Sequence, residues 1–162
     1  MRGIDPELVD EVWREMTGYA PERVAVEAQA FLAQQPHVVA FSHAVTRGAN
    51  ETVQRAGLGL CFLLFKVLER SLGRPFPELA EARITDAYAA TRAWLDGQET
   101  ADPGTVVRAM DGAAHPSLVT HILATLYGGG GAAADYDDGV RANLALLLGT
   151  LTDALDLGPV DR

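Results

Sequence analysis

Histidine is the side chain best suited to acid–base or metal chemistry near neutral pH, and this chain contains four of them. They form two pairs, His37 with His43 and His115 with His121, whose members are six positions apart. Six positions on a helix turn through about 600°, so the two members of a pair point about 120° apart and cannot chelate one ion. A histidine-based site would need one residue from each segment, for example His43 with His121.

Carboxylates such as Glu27 or Asp86 would have to complete such a site. The sequence contains neither an HExxH motif nor the ExxH motif of di-iron helical bundles. We therefore expect no metal ion and no other cofactor. His43 and His121 are the candidate catalytic residues of one hypothesis, in which the protein is a small metal-dependent or histidine-based hydrolase with its site between helices.

Cys61 is the only cysteine, so the chain has no internal disulfide. It lies between Leu60 and Phe62 in an apolar run, where desolvation disfavours the reactive thiolate. We expect a buried, unreactive thiol. A lone cysteine favours a reducing compartment, and the charged segment from Met1 to Glu15 lacks the apolar core of a signal peptide, so we expect a cytoplasmic location.

The formal net charge of −9 bears on the choice of partner. An acidic chain repels the phosphates of nucleic acids and the anionic surfaces of membranes, so we expect it to bind neither. The longest charge-free apolar stretch, Ala56 to Phe65, is about half as long as a bilayer span requires.

Proline and glycine mark the ends of the elements that must position these residues. Prolines suited to a first helical turn and glycines suited to helix ends divide the chain into apolar-periodic segments. No segment alternates polar and apolar residues for long enough to form a strand. The pattern predicts an all-α, single-domain bundle over residues 1–162 with about seven or eight helices, near 6–17, 21–35, 37–47, 51–72, 77–96, 103–111, 116–127 and 138–157.

Two of these helices are apolar on every face over their central turns, at Ala56–Phe65 and Leu144–Leu151. Such a helix must be surrounded by other helices or by a second subunit, so we expect both at the centre of the fold. The fourth helix should direct one face toward the last helix, namely Val53, Gly57, Leu60, Leu64 and Leu68. The amphipathic fifth helix, with Leu79, should lie nearer the surface.

The two apolar helices have similar sequences. Arg55 to Leu60 aligns with Arg141 to Leu146, which favours either a duplicated helical hairpin or a chance likeness between Leu- and Ala-rich helices. Gly57 and Gly59 each cost up to about 1 kcal/mol inside a helix relative to alanine. Close approach of another backbone, such as that of the last helix, would offset this cost.

Apolar helices without a catalytic constellation indicate a non-enzymatic binding or assembly protein. We expect it to act through contacts with another protein or with a small apolar ligand. A third apolar segment, Leu118 to Tyr127, also needs cover. Because we expect one small domain to be too small to bury all three apolar segments, we expect a homodimer. The alternative is the hydrolase that would use His43 and His121.

Overall fold

Helices account for nearly all of the chain wherever its structure is described. The structure, a computed structural model, describes residues 5–96, 118–119, 121–124 and 138–155. Its helices are α1 (Pro6–Thr17), α2 (Pro21–Gln34), α3 (Pro36–Val45), α4 (Glu51–Leu72), α5 (Glu81–Asp96) and α6 (Asp138–Leu155), and residues 118–119 and 121–124 are also helical. The described residues contain no strand, which confirms the all-α class. The helix predicted at 103–111 lies outside these residues.

No helix within the described ranges is both long enough and apolar enough to cross a membrane.

Short-range signals in the sequence set the helix ends. The Asp5 side chain caps α1 by accepting a hydrogen bond from the backbone N–H of Glu7 at 2.9 Å, with Pro6 in the first turn. Asn50 caps α4 in the same manner. Gly73 ends α4 in the left-handed conformation, with φ of 69°, that glycine adopts most easily. The helix ends at 6, 17, 21, 51 and 72 agree with the predicted ones.

The core forms where α4 and α6 meet α3. Helix α4 contacts α1, α3 and α6, and α6 contacts α3, α4 and α5. Residues 144–152 of α6 are all buried, so this helix is covered on every side, as predicted. The predicted inner face of α4 is also confirmed, because all five of its residues, Val53, Gly57, Leu60, Leu64 and Leu68, are buried.

The predicted start of the fifth helix was four residues too early, and Leu79 lies outside that helix. The helix begins at Glu81, and Leu79 lies in a preceding non-helical segment with only 6% of its surface exposed. The buried Gln35 side chain holds this segment: its amide donates to the Pro77 carbonyl and accepts from the Leu79 N–H, both at 2.9 Å. These tertiary hydrogen bonds prevail over the local preference of Pro77 for a helix start.

Burial gives no support to the duplicated hairpin. The proposed alignment pairs Gly57 with Asn143 and Leu58 with Leu144. Gly57 is buried while Asn143 is exposed, and Leu58 is half-buried while Leu144 is fully buried. The duplication therefore stays a prediction.

The apolar segments that suggested a homodimer are largely covered within one chain. The α6 segment is buried, and so are Leu118, Val119, Ile122 and Leu123 in the third apolar segment. The homodimer stays a prediction, but these segments no longer require it.

Truncation of Leu64 tests the position of α4 in the core. Its side chain is completely buried, so Leu64→Ala leaves a cavity and should lower the free energy of unfolding by about 2–5 kcal/mol. Leu32→Ala is the control. Because Leu32 is 53% exposed, this substitution should lower the free energy of unfolding by less than about 1 kcal/mol. Urea unfolding of both variants measures the difference. Equal midpoints for Leu64→Ala and the parent would contradict the assignment of this face to the core.

The reactivity of Cys61 is a second test of the core. The thiol is fully buried, and burial raises its pKa to about 12 although a hydrogen bond with Ser42 opposes the shift. Because the thiolate is the reactive form, a thiol-specific disulfide reagent should label the native protein far more slowly than the urea-unfolded protein. Labelling at the same rate in both states would show that the helix is exposed.

Candidate functional site, an apolar cleft between two helices

An apolar cleft of about 260 Å³ separates α2 from α4. Its α2 wall consists of residues on one helical face, namely Val24, Glu27, Ala28, Phe31 and Leu32. Its α4 wall consists of residues spaced at i, i+3, i+4 and i+7, namely Arg55, Leu58, Gly59 and Phe62. Met16, Tyr19 and Val39 complete the lining.

The α4 wall is the part of that helix which the protein core leaves uncovered. Leu58, Gly59 and Phe62 are only half-buried, in contrast to Leu60 and Leu64 on the opposite side. The sequence predicts cover on every face of this apolar section. The structure supplies that cover for α6 but only partly for α4, and the incompletely covered face is the one that lines the cleft.

Helix α2 buries a single side chain in the core, although it also contacts α3. Phe31 is the single buried residue of α2, which is described throughout its length. Its ring makes edge-on contacts with Phe62 and Phe65, with ring centroids 5.6 Å apart in both pairs. Val24 and Leu32 line the cleft yet remain 49% and 53% exposed. Large apolar side chains therefore border an open space on this side.

A chain of ion pairs connects α2 to the rest of the fold beside the cleft. Lys66 of α4 lies 3.6 Å from Glu27 of α2, which also pairs with Arg23 at 3.8 Å. Arg23 lies 3.9 Å from Glu15 of α1, and Glu15 pairs with Arg70 of α4 at 2.7 Å. These side chains are partly exposed, so each pair contributes modestly, but together they link three helices.

Glu15 makes this connection dependent on pH. The hydrogen bond from Arg70 is the main reason why the pKa of the Glu15 carboxyl is lower than its usual value of 4.5. A lowered folded-state pKa means that Glu15 stabilises the fold above about pH 4.5, and that this contribution is lost as the pH falls through the folded-state pKa. The link between α1 and α4 is therefore intact at neutral pH and weakens in acid.

Two charged residues line the cleft, and they differ in how well they are neutralised. Glu27 has two cationic partners, Lys66 and Arg23. Arg55 pairs with Glu51 one turn earlier on its own helix, where the two side chains are 78% and 76% exposed. Solvent screens the pair between Arg55 and Glu51, so an exchange of partners there costs little.

The two interior glycines of α4 have different surroundings. A methyl group at Gly57 would lie 3.1 Å from Thr46 Cγ2, 3.4 Å from Ser42 Oγ and 3.6 Å from a Leu144 methyl. Gly57 is therefore tightly packed, but against side chains, mainly those of Ser42 and Thr46, and not against the backbone of the last helix as predicted. A methyl group at Gly59 would meet nothing within 4 Å, so the packing prediction was wrong there. Gly59 instead forms an open part of the cleft wall.

The structure gives the candidate histidines separate surroundings. His43 is exposed on α3, whereas His121 lies 3.1 Å from an oxygen of Asp10 on α1. His37 lies 3.4 Å from Glu78. Glu27 pairs with cations and Asp86 is exposed on α5. His115 lies outside the described residues.

Within the described ranges, no three His, Cys, Asp or Glu side chains form a group that could hold a metal ion. The predicted combination of His43 and His121 with Glu27 or Asp86 is therefore not assembled as a metal site there. A catalytic role for the two histidines stays a prediction, and it would have to use them without that carboxylate cluster.

Known proteins give no functional lead for this fold. No protein-family model, curated protein or solved structure matches the chain. The assignment of function therefore depends on the geometry and chemistry of the cleft.

Sequence reasoning missed the cleft, although two signals for it are present. Helix α2 carries Val24 and Leu32 beside small residues, which gives it a weakly apolar face. Gly59 interrupts a helix at a position where no neighbour requires a glycine. Neither signal identifies a cleft until the separation of α2 from α4 is known.

Matched alanine substitutions distinguish the two glycines. Gly59→Ala should raise the free energy of unfolding by up to about 1 kcal/mol, because alanine favours the helix and the new methyl meets nothing. Gly57→Ala should leave the free energy of unfolding unchanged or lower it. The Thr46 methyl cannot turn away easily because its hydroxyl donates to the Ser42 carbonyl at 2.7 Å. Urea unfolding measures both changes, and equal stabilisation by the two substitutions would contradict the difference in packing.

Proposed function

We propose that the protein is a non-enzymatic binding protein that takes a small, mainly apolar ligand into the cleft between α2 and α4. The observation that carries this proposal is the open apolar space against the half-exposed face of α4. Ligand pockets are typically concave, mostly apolar and furnished with few polar groups, and this cleft has those properties.

Hydrophobic burial supplies the driving force. A ligand that removes Leu58, Phe62 and Leu32 from water gains about 25 cal/mol for each Å² of apolar surface that it covers. The two walls belong to separate helices that already stand apart. Binding therefore requires no prior opening of the core, which limits the cost of rearrangement.

Gly59 supports the same proposal. It lowers helix stability by up to about 1 kcal/mol relative to alanine, and no neighbouring atom lies where the alanine methyl would be. A larger residue would occupy the cleft. The space that Gly59 leaves in the cleft for a ligand thus offsets the helix stability that a glycine costs at this position.

The other hypotheses have less support. A homodimer or a protein partner would have to insert into a concave space bounded on two sides by helices. A hydrolase that uses His43 and His121 would combine an exposed residue of α3 with one that contacts Asp10 of α1. We propose a cytoplasmic location because a chain with a single, unpaired cysteine is typical of a reducing compartment.

Titration with N-phenyl-1-naphthylamine, an uncharged dye whose fluorescence rises in apolar surroundings, tests the proposal. We expect the parent protein to bind one dye molecule per chain. Gly59→Phe should abolish binding, because its ring would occupy the cleft. Gly48→Phe is the matched control, since a methyl group at Gly48 also meets nothing but this residue lies in the exposed turn after α3. It should leave binding unchanged.

Thermal unfolding of both variants establishes that they fold. Absence of dye binding by the parent, or unchanged affinity in a folded Gly59→Phe variant, would contradict the proposal. Light scattering of the same samples tests the dimer. A parent dimer that Gly59→Phe converts to a monomer would show that the cleft is a subunit interface and not a ligand site.

A further inference from the structure

We propose that the ligand of the cleft is an amphiphile with an apolar tail of roughly eight carbons and a carboxylate head that pairs with Arg55. This inference depends on the proposed binding function and adds the chemical class of the ligand. Arg55 lines the cleft beside Leu58, Gly59 and Phe62, so a charged group and an apolar surface share one wall.

The length of the tail follows from the dimensions of the cleft. Arg55 and Phe62 are seven positions apart on α4, which corresponds to about 10 Å along the helix axis. An extended alkyl tail of roughly eight carbons spans about this distance, and a cleft of about 260 Å³ has room for one such tail.

The charges at the two ends favour an anionic head near Arg55. Glu27 pairs with Lys66, which lies eleven positions beyond Arg55 and therefore about 16 Å farther along α4. The negative charge of Glu27 is neutralised by Lys66 and Arg23, which weakens its repulsion of an anionic head group near Arg55.

Arg55 has the chemistry that a carboxylate requires. A guanidinium group can donate two parallel hydrogen bonds to the two oxygens of one carboxylate. Its present partner, Glu51, is a carboxylate of the same helix in an exposed pair. A ligand carboxylate would compete with Glu51 for this guanidinium, whose five N–H donors are enough to pair with both carboxylates.

Calorimetric titration with octanoate, octanol and octylamine measures the preference for the head group. Octanoate should bind about tenfold or more tightly than octanol, as expected for a charge-assisted hydrogen bond, and octylamine should bind no better than octanol. Arg55→Ala should remove the preference for octanoate over octanol, whatever its effect on the affinity for octanol itself. Arg47→Ala, which removes an exposed cation outside the cleft lining, should preserve the preference.

Two further measurements test the position of the head and the length of the tail. Glu51→Gln should strengthen octanoate binding, because it removes the competing carboxylate. Affinity should rise about fourfold per methylene from butanoate to octanoate and then level off toward dodecanoate.

The possible failures are distinguishable. If the parent does not bind the dye, the proposed binding function itself is wrong. If the parent binds the dye but prefers octanol or octylamine to octanoate, or if Arg55→Ala keeps the octanoate preference, the cleft binds apolar molecules and the carboxylate inference is wrong. An affinity that continues to rise at the same rate beyond ten carbons would overturn the tail length.

Discussion

The structure depends on one requirement: the central section of α4, Ala56–Phe65, is apolar on every face and must be covered by other groups. One face, represented by Leu60 and Leu64, packs into the core that α4 shares with α3 and α6. The opposite face, represented by Leu58 and Phe62, is only half-buried and borders the cleft whose other wall is α2. The folded chain thus buries one side of this helix and leaves the other side partly exposed to water. The cleft lies along the partly exposed side.

Helix α2 keeps its position through side chains that themselves line the cleft. Phe31 packs edge-on against Phe62 and Phe65, and Glu27 is held by Lys66. Phe31, Phe62 and Glu27 all belong to the cleft lining. Because partly exposed ion pairs are weak, the buried ring of Phe31 is the firmer of these attachments. Val24 and Leu32 on the same wall remain about half exposed, so part of the space between α2 and α4 stays open.

Much of the fold could be predicted from the sequence because its signals act over short distances. Asp5 and Gly73 determine helix ends through local hydrogen bonds and backbone conformation, and the charge-free section of α6 indicates a buried helix. Leu79 was assigned wrongly because the segment around it is fixed by Gln35, which lies 44 positions away in sequence. The cleft was missed for a related reason. The sequence indicates that α4 needs cover on all sides, but only the position of α2 shows which side receives too little.

NMR can locate the bound dye directly, through intermolecular Overhauser effects between N-phenyl-1-naphthylamine and methyl groups of the protein. A dye in the cleft should contact the methyls of Val24, Leu32 and Leu58, which line the cleft, and should not contact the core methyls of Leu147. Val26 is an internal control, because it is exposed on α2 but does not line the cleft. Contacts with Val26 in place of Leu58, or with no cleft methyl at all, would show that the dye does not bind in the cleft.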